Sequence, residues 1–164
     1  MPTCTCSRRS WRGTKWILPG WAGSPDLAKA VGAEVLEGVF SVDSTSNITA
    51  ASFAQYDKAY QRAMGQPGAS NVYAAMTWDM VMVLALAIEA AGSVETAAIK
   101  AKIREIANPP GTPVFGFAEG KAALKQGKIN YEGASSKLDF DEYGDVTPDF
   151  AVSVFQKGAL VQKY

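Results

Sequence analysis

A single long apolar segment limits what this chain can fold into more than any other feature. Residues 73–91, which contain the run MVMVLALAI, carry apolar side chains on nearly every side when they are drawn as a helix. A helix of that kind is buried, so we expect it to lie between a sheet and other elements. The run from Met80 to Ile88 lies between Asp79 and Glu89, and it is well short of the roughly 20 residues that span a bilayer. The segment therefore predicts a core helix of a globular domain.

Shorter segments around this helix alternate between strand and helix patterns. Ser24 is a good N-cap because a proline and an acidic residue follow it, so residues 24–32 predict a short helix. Further helices are predicted at 48–64, 73–91, 94–107 and 119–126, and strands at 15–18, 35–42, 137–140, 150–156 and 159–162. Apart from the one or two helical turns at 119–126, the order is β-α-β-α-α-α followed by three strands, which indicates the α/β class with too few strands for a closed sheet.

The absence of histidine excludes several kinds of site. The 164-residue chain has no histidine and two cysteines, so it cannot build a Ser-His-Asp triad, a Cys-His pair or a histidine-ligated zinc site. Cys4 and Cys6 are too few to complete a zinc site and too close together for an unstrained disulfide. We expect inert thiols, no metal and no cofactor.

Charge is distributed unevenly along the chain. The 16 basic and 16 acidic residues cancel, which argues against nucleic-acid binding, because phosphate contacts need a basic surface. The first 21 residues contain no apolar run of the length that a secretory signal needs, so we expect no signal peptide in this chain. Residues 1–15 form a basic tail without an acidic residue, and its charges are Arg8, Arg9, Arg12 and Lys15.

Two acidic residues near the C-terminus invite a metal-binding or catalytic interpretation that their neighbours do not support. Asp139, Asp141 and Gly144 begin like a calcium-binding EF-hand loop, but Tyr143 and Phe150 stand where oxygen ligands belong. The same acidic pair has no third chemical partner for acid–base work. We therefore expect a β-turn at this place and no enzyme activity.

Trp21 is the best candidate for a ligand contact that the residues alone suggest. Trp16 and Trp21 flank the Pro19-Gly20 loop at the end of the first predicted strand. Ligands of open α/β sheets bind outside the carboxyl ends of strands, which is where Trp21 would lie. The aromatic residues at helical spacing, by contrast, fit a core.

Two longer stretches carry a resemblance to a known family. Residues 71–93 combine Tyr-Ala-Ala with an aromatic-Asp pair that opens an apolar helix. Residues 129–161 combine Tyr-x-Gly-Ala-Ser, Phe-Asp-x-x-Gly-Asp and a closing strand with a Lys-Gly turn. Over residues 17–164 the chain resembles the C-terminal part of the solute-binding proteins of branched-chain amino-acid ABC transporters, the Leu/Ile/Val-binding family with the type I periplasmic-binding-protein fold.

The resemblance implies an α/β fold of two lobes with Rossmann-like parallel sheets, here incomplete because the family is more than twice as long. It implies hinge strands near 43–47 and 147–152. The implied parts are an unmatched tail at 1–15, a piece of the second lobe at 16–42, the C-terminal part of the first lobe at 48–150, and closing strands that return toward the second lobe at 151–164.

The resemblance also implies a function without catalysis. Such proteins capture an amino acid or similar small solute between the lobes in the periplasm and hand it to an ABC permease. The implied ligand-binding residues are Gly20, Trp21 and Ala22 in the loop of one lobe and Tyr73 near the contact region of the other. The implied solute is a branched-chain or other amino acid. The absence of an acid from that loop weakens the assignment to an α-amino acid or shifts it toward an aromatic, amide or other solute. Trp78 and Asp79 are expected to serve packing and helix capping.

Two further expectations concern where the chain acts and what it binds. A cytoplasmic ligand-sensing or regulatory module of the same fold is the alternative function, since we expect no export signal. Self-association of this chain is expected to bury sheet edges and the bare face of the 73–91 helix. Because half of the lobe contacts would be missing, we expect a monomer to bind solute weakly or not at all.

Overall fold

The computed structural model describes residues 14–164, which fall into two compact units. Within the described residues, the split unit comprises 14–44 together with Phe150–Tyr164. The central unit comprises Thr45–Asp149. The expectations for Cys4, Cys6 and most of the basic tail concern residues that lie outside the described part.

The split unit is built on a four-stranded sheet with two short helices. The strands lie in the order β1, β2, β5, β6, and β1 pairs with β2 in parallel so that Ile17 faces Phe40. Strands β5 and β6 pair antiparallel, with Val154 opposite Val161. Its elements are β1 (Ile17–Pro19), α1 (Pro25–Val31), α2 (Ala33–Leu36), β2 (Phe40–Thr45), β5 (Asp149–Gln156) and β6 (Ala159–Gln162).

The first helix and the closing hairpin of the split unit confirm the sequence-based predictions. Ser24 is the N-cap of α1, and its Oγ accepts a hydrogen bond from the backbone N–H of Leu27 at 3.3 Å. Lys157 and Gly158 form the tight turn between β5 and β6, and both have positive φ angles, of 53° and 81°. Successive positive φ angles match the twist of a two-residue hairpin turn. The core of this unit consists of Ala28, Leu36, Val39 and Phe155.

The strand predicted at 35–42 is only partly correct. Gly38, with a φ of 78°, interrupts the apolar run, so its first part forms the helical turn α2 and its second part enters β2. A residue in the left-handed region cannot continue an extended strand. Leu36 and Val39 both still reach the core, because the turn brings them to the same side.

The central unit is mainly helical. The long helix α4 packs against α5 and α6, and β3 and β4 form a two-stranded parallel sheet in which Val114 lies opposite Tyr131. Its elements are α3 (Ala51–Met64), a 3₁₀ turn (Gly68–Ser70), α4 (Val72–Ala91), α5 (Thr96–Ala107), β3 (Thr112–Val114), α6 (Phe117–Leu124) and β4 (Ile129–Tyr131). The largest core cluster joins α4, α5 and this sheet through Leu86, Ala87, Ile106, Val114, Ile129 and Tyr131.

The four helices predicted for this unit are present, but its strands differ from the prediction. Residues 137–140 form no strand, because Leu138 has a φ of 63°, outside the extended region. The side-chain amide of Asn108 takes the place of a strand partner: it donates to the carbonyl of Phe140 at 2.6 Å and accepts from the N–H of Phe140 at 2.9 Å. Strands β3 and β4 were not predicted.

The burial expected for α4 is wrong on one side of the helix. One side is buried through Ala75, Val83, Leu86 and Ala87, but Met80, Val81 and Leu84 on another side are exposed. By length and hydropathy alone, α4 is also long and apolar enough to cross a membrane. The core helix of a globular domain has the same properties, and α4 packs against α5.

Candidate functional site

A tight turn follows the end of β1 in the split unit. The carbonyl of Pro19 accepts hydrogen bonds from the N–H groups of Ala22 at 2.9 Å and Gly23 at 3.1 Å. The N–H of Gly20 donates across to the carbonyl of Val42 at 2.7 Å, which ties the turn to β2. The three residues Gly20, Trp21 and Ala22, which the sequence nominated together, therefore lie in one hydrogen-bonded turn.

Both glycines of this turn lie directly on side chains of β2. A Cβ atom at Gly20 would overlap the carboxyl group of Asp43, and one at Gly23 would overlap the hydroxyl of Ser41. The turn can approach the strand this closely only because the two glycines have no side chain. Asp43 Oδ1 also accepts the N–H of Ser44 at 2.9 Å, which orients the carboxyl group.

Trp21 projects from this turn with 76% of its surface exposed. It follows the carboxyl end of β1, the edge at which parallel sheets place ligands. Trp16 precedes β1 and therefore lies at the opposite end of that strand. The turn thus carries an exposed aromatic ring at Trp21, while the Asp43 carboxyl group lies against its Gly20.

The acid beside the turn is the functional candidate that sequence reasoning missed. The four loop residues 20–23 contain no acid, which was the reason for moving the expected solute away from an α-amino acid. Asp43 lies 20 or more residues later in the chain, but the parallel pairing of β1 with β2 brings it to the turn. The signal in the sequence was the pair Gly20 and Gly23, because a strand that passes close to a turn leaves no room there for side chains. In the structure these glycines lie against Asp43 and Ser41, which are alternate residues of β2.

Tyr73, the fourth nominated residue, lies in the central unit. It belongs to the first turn of α4, whose N-cap Asn71 accepts a hydrogen bond from the N–H of Ala74 at 3.1 Å. Its side chain is about half exposed, and its carbonyl accepts a hydrogen bond from the hydroxyl of Thr77 at 2.9 Å.

Asp79 forms the centre of a buried polar cluster in the same unit. Only 1% of its surface is exposed, and its carboxyl group accepts four hydrogen bonds. The donors are the Tyr131 hydroxyl at 2.9 Å, the Ala134 N–H at 2.8 Å, and the N–H and hydroxyl of Ser135 at 2.7 and 2.6 Å. Asp79 thus ties the segment after β4 to α4, and the helix cap expected of it is supplied by Asn71 instead.

The surroundings of Tyr131 fix its protonation state. Burial, and then the charge of Asp79, raise the pKa of this hydroxyl far above its usual range. Tyr131 therefore stays a hydrogen-bond donor to Asp79 across the whole neutral range. Trp78, beside Asp79 in sequence, packs its ring on that of Tyr56 with centroids 6.0 Å apart, which agrees with the packing role expected for it.

The loop around Asp141 is a turn, as the sequence predicted. Asp141 Oδ1 accepts the N–H groups of Tyr143, Gly144 and Asp145 at 2.8–2.9 Å. These donors, led by the Asp145 N–H, lower the pKa of the carboxyl group. Within residues 14–164, no cluster of three or more His, Cys, Asp or Glu side chains has the arrangement of a metal site.

Comparisons with known proteins relate this architecture to one family. Residues 11–148 match the family model described as periplasmic binding protein. The leucine-binding protein LivK of Thermotoga maritima MSB8 is similar in structure, with 23% identity and a TM-score of 0.61 over 95% of this chain and 38% of that one. The branched-chain amino acid transporter substrate-binding protein LivJ of Streptococcus pneumoniae, solved with isoleucine, has 14% identity and a TM-score of 0.52 over 95% of this chain and 39% of that one. No curated protein sequence matches the chain significantly.

Proposed function

Because the chain belongs to the periplasmic binding protein family, we propose that it is part of an extracytoplasmic solute-binding protein. In this proposal the protein captures an amino acid or similar small solute between two lobes and delivers it to an ABC permease. The observation that carries the proposal is the family match over residues 11–148. The protein acts by binding, and no step of catalysis is part of it.

The fold agrees with this family. The mixed α/β architecture is that of the type I periplasmic binding proteins, as the resemblance in the sequence implied. The chain spans 38% and 39% of the lengths of the two solved relatives. The split unit is assigned to the second lobe of the family and the central unit to the first, as part of the proposal.

The turn after β1 is the proposed contact surface of the second lobe. Trp21 would cover the apolar part of the solute, since an aromatic face buries a large area at a low cost in conformational entropy. Gly20 and Ala22 would let the backbone approach the solute closely. Asp43 adds the acid that the loop lacks and would pair with an ammonium group, so an α-amino acid again fits the site. Tyr73 is the proposed contact from the first lobe.

Binding is expected to be weak in a monomer of this chain, because tight closure needs contacts to both complete lobes. The test is a titration of the ¹⁵N-labelled chain with leucine, followed by NMR. We expect fast-exchange shifts of the amides of residues 20–23 and 43–44 at about millimolar leucine, a range that corresponds to roughly 4 kcal/mol of binding free energy. Absence of shifts at these residues, or sub-micromolar affinity in calorimetry, would contradict the proposal.

Two variants separate the proposed contacts. Trp21→Ala should abolish the shifts, whereas Trp16→Ala, which removes an exposed tryptophan from the other end of β1, should leave them unchanged. Asp43→Asn should weaken the binding of leucine but not of 4-methylpentanoate, which lacks the ammonium group. Equal losses for both compounds would show that Asp43 supports the turn and does not contact the solute.

A further inference from the structure

The parallel sheet of the central unit has a carboxyl edge of its own. Strand β3 ends at Val114 and β4 ends at Tyr131, and these two residues are partners in the register. Glu132 follows β4 directly, and its N–H donates to the carbonyl of Val114 at 3.0 Å. Ligands of open α/β sheets bind outside the carboxyl ends of the strands. Glu132 therefore occupies, in the central unit, the kind of position that the turn after β1 occupies in the split unit.

The carboxyl group of Glu132 is held by a buried amide. Asn130 is only 7% exposed, and its Nδ2 donates to Glu132 Oε1 at 2.8 Å. A carboxylate can only accept hydrogen bonds, so the amide has to turn its NH₂ group toward Glu132. The amide oxygen of Asn130 is then left buried without a donor. A buried acceptor without a partner lowers stability, which an apolar side chain at this position would avoid. What Asn130 provides in return is a fixed orientation of the Glu132 carboxyl group.

No lysine or arginine of the described residues forms an ion pair with this carboxyl group. The ion pairs within residues 14–164 all lie elsewhere, between Lys29 and Asp26, Lys102 and Glu105, and Lys121 and Glu89. Glu132 is half-buried, and its side chain receives its one hydrogen bond within the described chain from Asn130. A carboxylate that the fold orients but leaves without a cation can accept a charge-assisted hydrogen bond from an ammonium group.

A second acid at this edge is used differently. Glu119 lies in the first turn of α6, and its Oε2 accepts the backbone N–H of Phe115 at 3.0 Å, just after β3. An acid that reaches back to the backbone in front of its own helix stabilises the start of that helix. Glu119 therefore serves the fold, whereas Glu132 is held by a side chain and bonds to no backbone N–H with its carboxyl group.

The contact already proposed for this lobe lies near the same segment. Ala134, two positions after Glu132, is buried in one cluster with Ala75 of α4. Tyr73 belongs to the helical turn that contains Ala75. The segment that follows β4 thus packs against the turn of α4 that carries Tyr73.

We propose that Glu132 binds a cationic group of the solute and that Asn130 is the residue that positions it. This inference rests on the proposed function, in which Asp43 pairs with the α-ammonium group. An α-amino acid has one such group, so a second acid on the other lobe selects a solute with another ammonium group at the end of its side chain. The solute class is then a diamino acid such as lysine or ornithine, in place of a branched-chain amino acid.

The first test is an NMR titration of the full chain with a matched pair of solutes. L-Lysine and L-norleucine differ only in the terminal ammonium group. Lysine should bind about 5- to 10-fold more tightly, because it adds one charge-assisted hydrogen bond. It should shift the amides of residues 132–133 as well as those of residues 20–23, whereas norleucine should shift only the second group.

The same titration separates this inference from the proposed function. Norleucine shifts at residues 20–23 without a preference for lysine would overturn the inference and leave the proposed function standing. Lysine shifts at residues 132–133 without any at 20–23 would support the cation site at Glu132 and contradict the proposed function. Absence of shifts with both solutes would overturn both.

Glu132→Gln removes the charge but keeps an oxygen that can accept from Asn130. It should abolish the preference for lysine and leave the affinity for norleucine unchanged. Glu119→Gln is the matched control, because it removes one charge from the same edge at an acid that the backbone already uses. A preference of at least about 3-fold should remain in this control, since exposed charges at a distance are screened. Equal losses for the two variants would overturn the inference, because the overall charge of the edge would then select the solute.

Asn130→Val tests the positioning residue. Valine suits a strand and removes the buried oxygen that has no donor. The urea midpoint should therefore stay unchanged or rise, while the preference for lysine should fall by at least about 3-fold, because Glu132 is no longer oriented. The affinity for norleucine should not change. A lower urea midpoint together with an unchanged preference for lysine would show that Asn130 serves only the fold, and its positioning role would be wrong.

Discussion

Asp79 and Asp141 each gather several hydrogen bonds on one carboxyl group, but they do so in opposite surroundings. The donors to Asp79 come from residues 52 to 56 positions later in the chain, and the carboxyl group is 1% exposed. The donors to Asp141 come from the next four residues, and the loop is exposed. The first carboxyl group joins two distant segments, whereas the second shapes one turn.

This difference determines how much each carboxyl group contributes to stability. Water cannot replace Asp79 as the acceptor for the donors buried around it. Removing the carboxyl group therefore leaves these donors unsatisfied, which lowers the free energy of unfolding by about 1–3 kcal/mol for each donor before the structure relaxes. The N–H groups around Asp141 exchange one acceptor for water when the carboxyl group is removed. The four hydrogen bonds of Asp79 and the three of Asp141 are therefore predicted to differ in their effect on folding by more than their numbers suggest.

Removal of the Asp79 carboxyl group should have the largest effect. Asp79→Ala leaves the Tyr131 hydroxyl, two backbone N–H groups and the Ser135 hydroxyl without their acceptor. We expect the free energy of unfolding to fall by about 3 kcal/mol or more. Urea unfolding followed by circular dichroism measures it.

Asp79→Asn is the control for shape. The amide keeps the size of the side chain and one oxygen, but its NH₂ group would face the donors of Ser135. We expect about half of the loss seen for alanine. If Asp79→Ala lowers the free energy of unfolding by less than about 1 kcal/mol, burial does not increase the contribution of this carboxyl group to stability. The contrast drawn with Asp141 would then be wrong.

Tyr131→Phe should have the second largest effect, with a loss of about 1.5 kcal/mol at neutral pH, because one donor to a buried charge is removed while the ring is kept. Burial and Asp79 raise the pKa of Tyr131. A raised pKa in the folded state contributes stability that is complete below the ordinary tyrosine pKa of about 10 and is lost as the pH rises above it. Wild type should therefore lose stability on alkaline titration more steeply than Tyr131→Phe.

Tyr143→Phe is the matched control, because Tyr143 is 82% exposed in the loop next to Asp141. It should change neither the neutral stability nor the alkaline slope. If Tyr131→Phe and Tyr143→Phe have parallel alkaline profiles, the Tyr131 hydroxyl is not held by Asp79 in the folded state.

Ser52→Ala should have a smaller effect, of about 1 kcal/mol. The hydroxyl of this fully buried residue of α3 donates to the carbonyl of Gly133 at 2.6 Å, in the same segment that Asp79 holds. Chemical unfolding measures the loss. Ser70→Ala, at an exposed position of the 3₁₀ turn, should change the stability by less than about 0.5 kcal/mol. Equal losses for the two variants would show that the buried hydrogen bond from Ser52 to Gly133 does not contribute to stability.

The helices were predictable from the sequence because each carries its own local signal. Ser24 caps α1, glycine ends α3 and α4 at Gly65 and Gly92, and apolar periodicity marks α5. Strand β4 was missed because all three of its residues are buried, so it has no alternation of its own. Strand β3 was missed because it has only three residues, of which Thr112 and Pro113 are exposed, and a proline argues against a strand. The stretch at 137–140 shows the converse: its composition suits a strand, but the amide of Asn108 takes its hydrogen bonds.

The candidate site divides in the same way. Gly20, Trp21 and Ala22 are adjacent in sequence and were nominated together, and they lie in one turn because a turn is a local structure. Asp43 was missed, since it reaches the turn only through the pairing of β1 with β2. The four hydrogen bonds of Asp79 were hidden for the same reason: no local pattern shows which residues a buried acid will meet more than 50 positions away.

Asp141→Ala should have the smallest effect of the series at neutral pH, below that of Ser52→Ala, because water replaces the lost acceptor. The N–H of Asp145, together with those of Tyr143 and Gly144, lowers the pKa of Asp141. A lowered pKa in the folded state contributes stability that is present above the ordinary aspartate pKa of about 3.9 and is lost as the pH falls through the folded value. The wild type should therefore lose slightly more stability than Asp141→Ala between neutral pH and pH about 3, as thermal unfolding at both pH values would measure. A larger neutral loss for this variant than for Ser52→Ala would mean that the turn also holds distant segments together, through Arg104, whose guanidinium donates to the carbonyl of Glu142 at 2.7 Å.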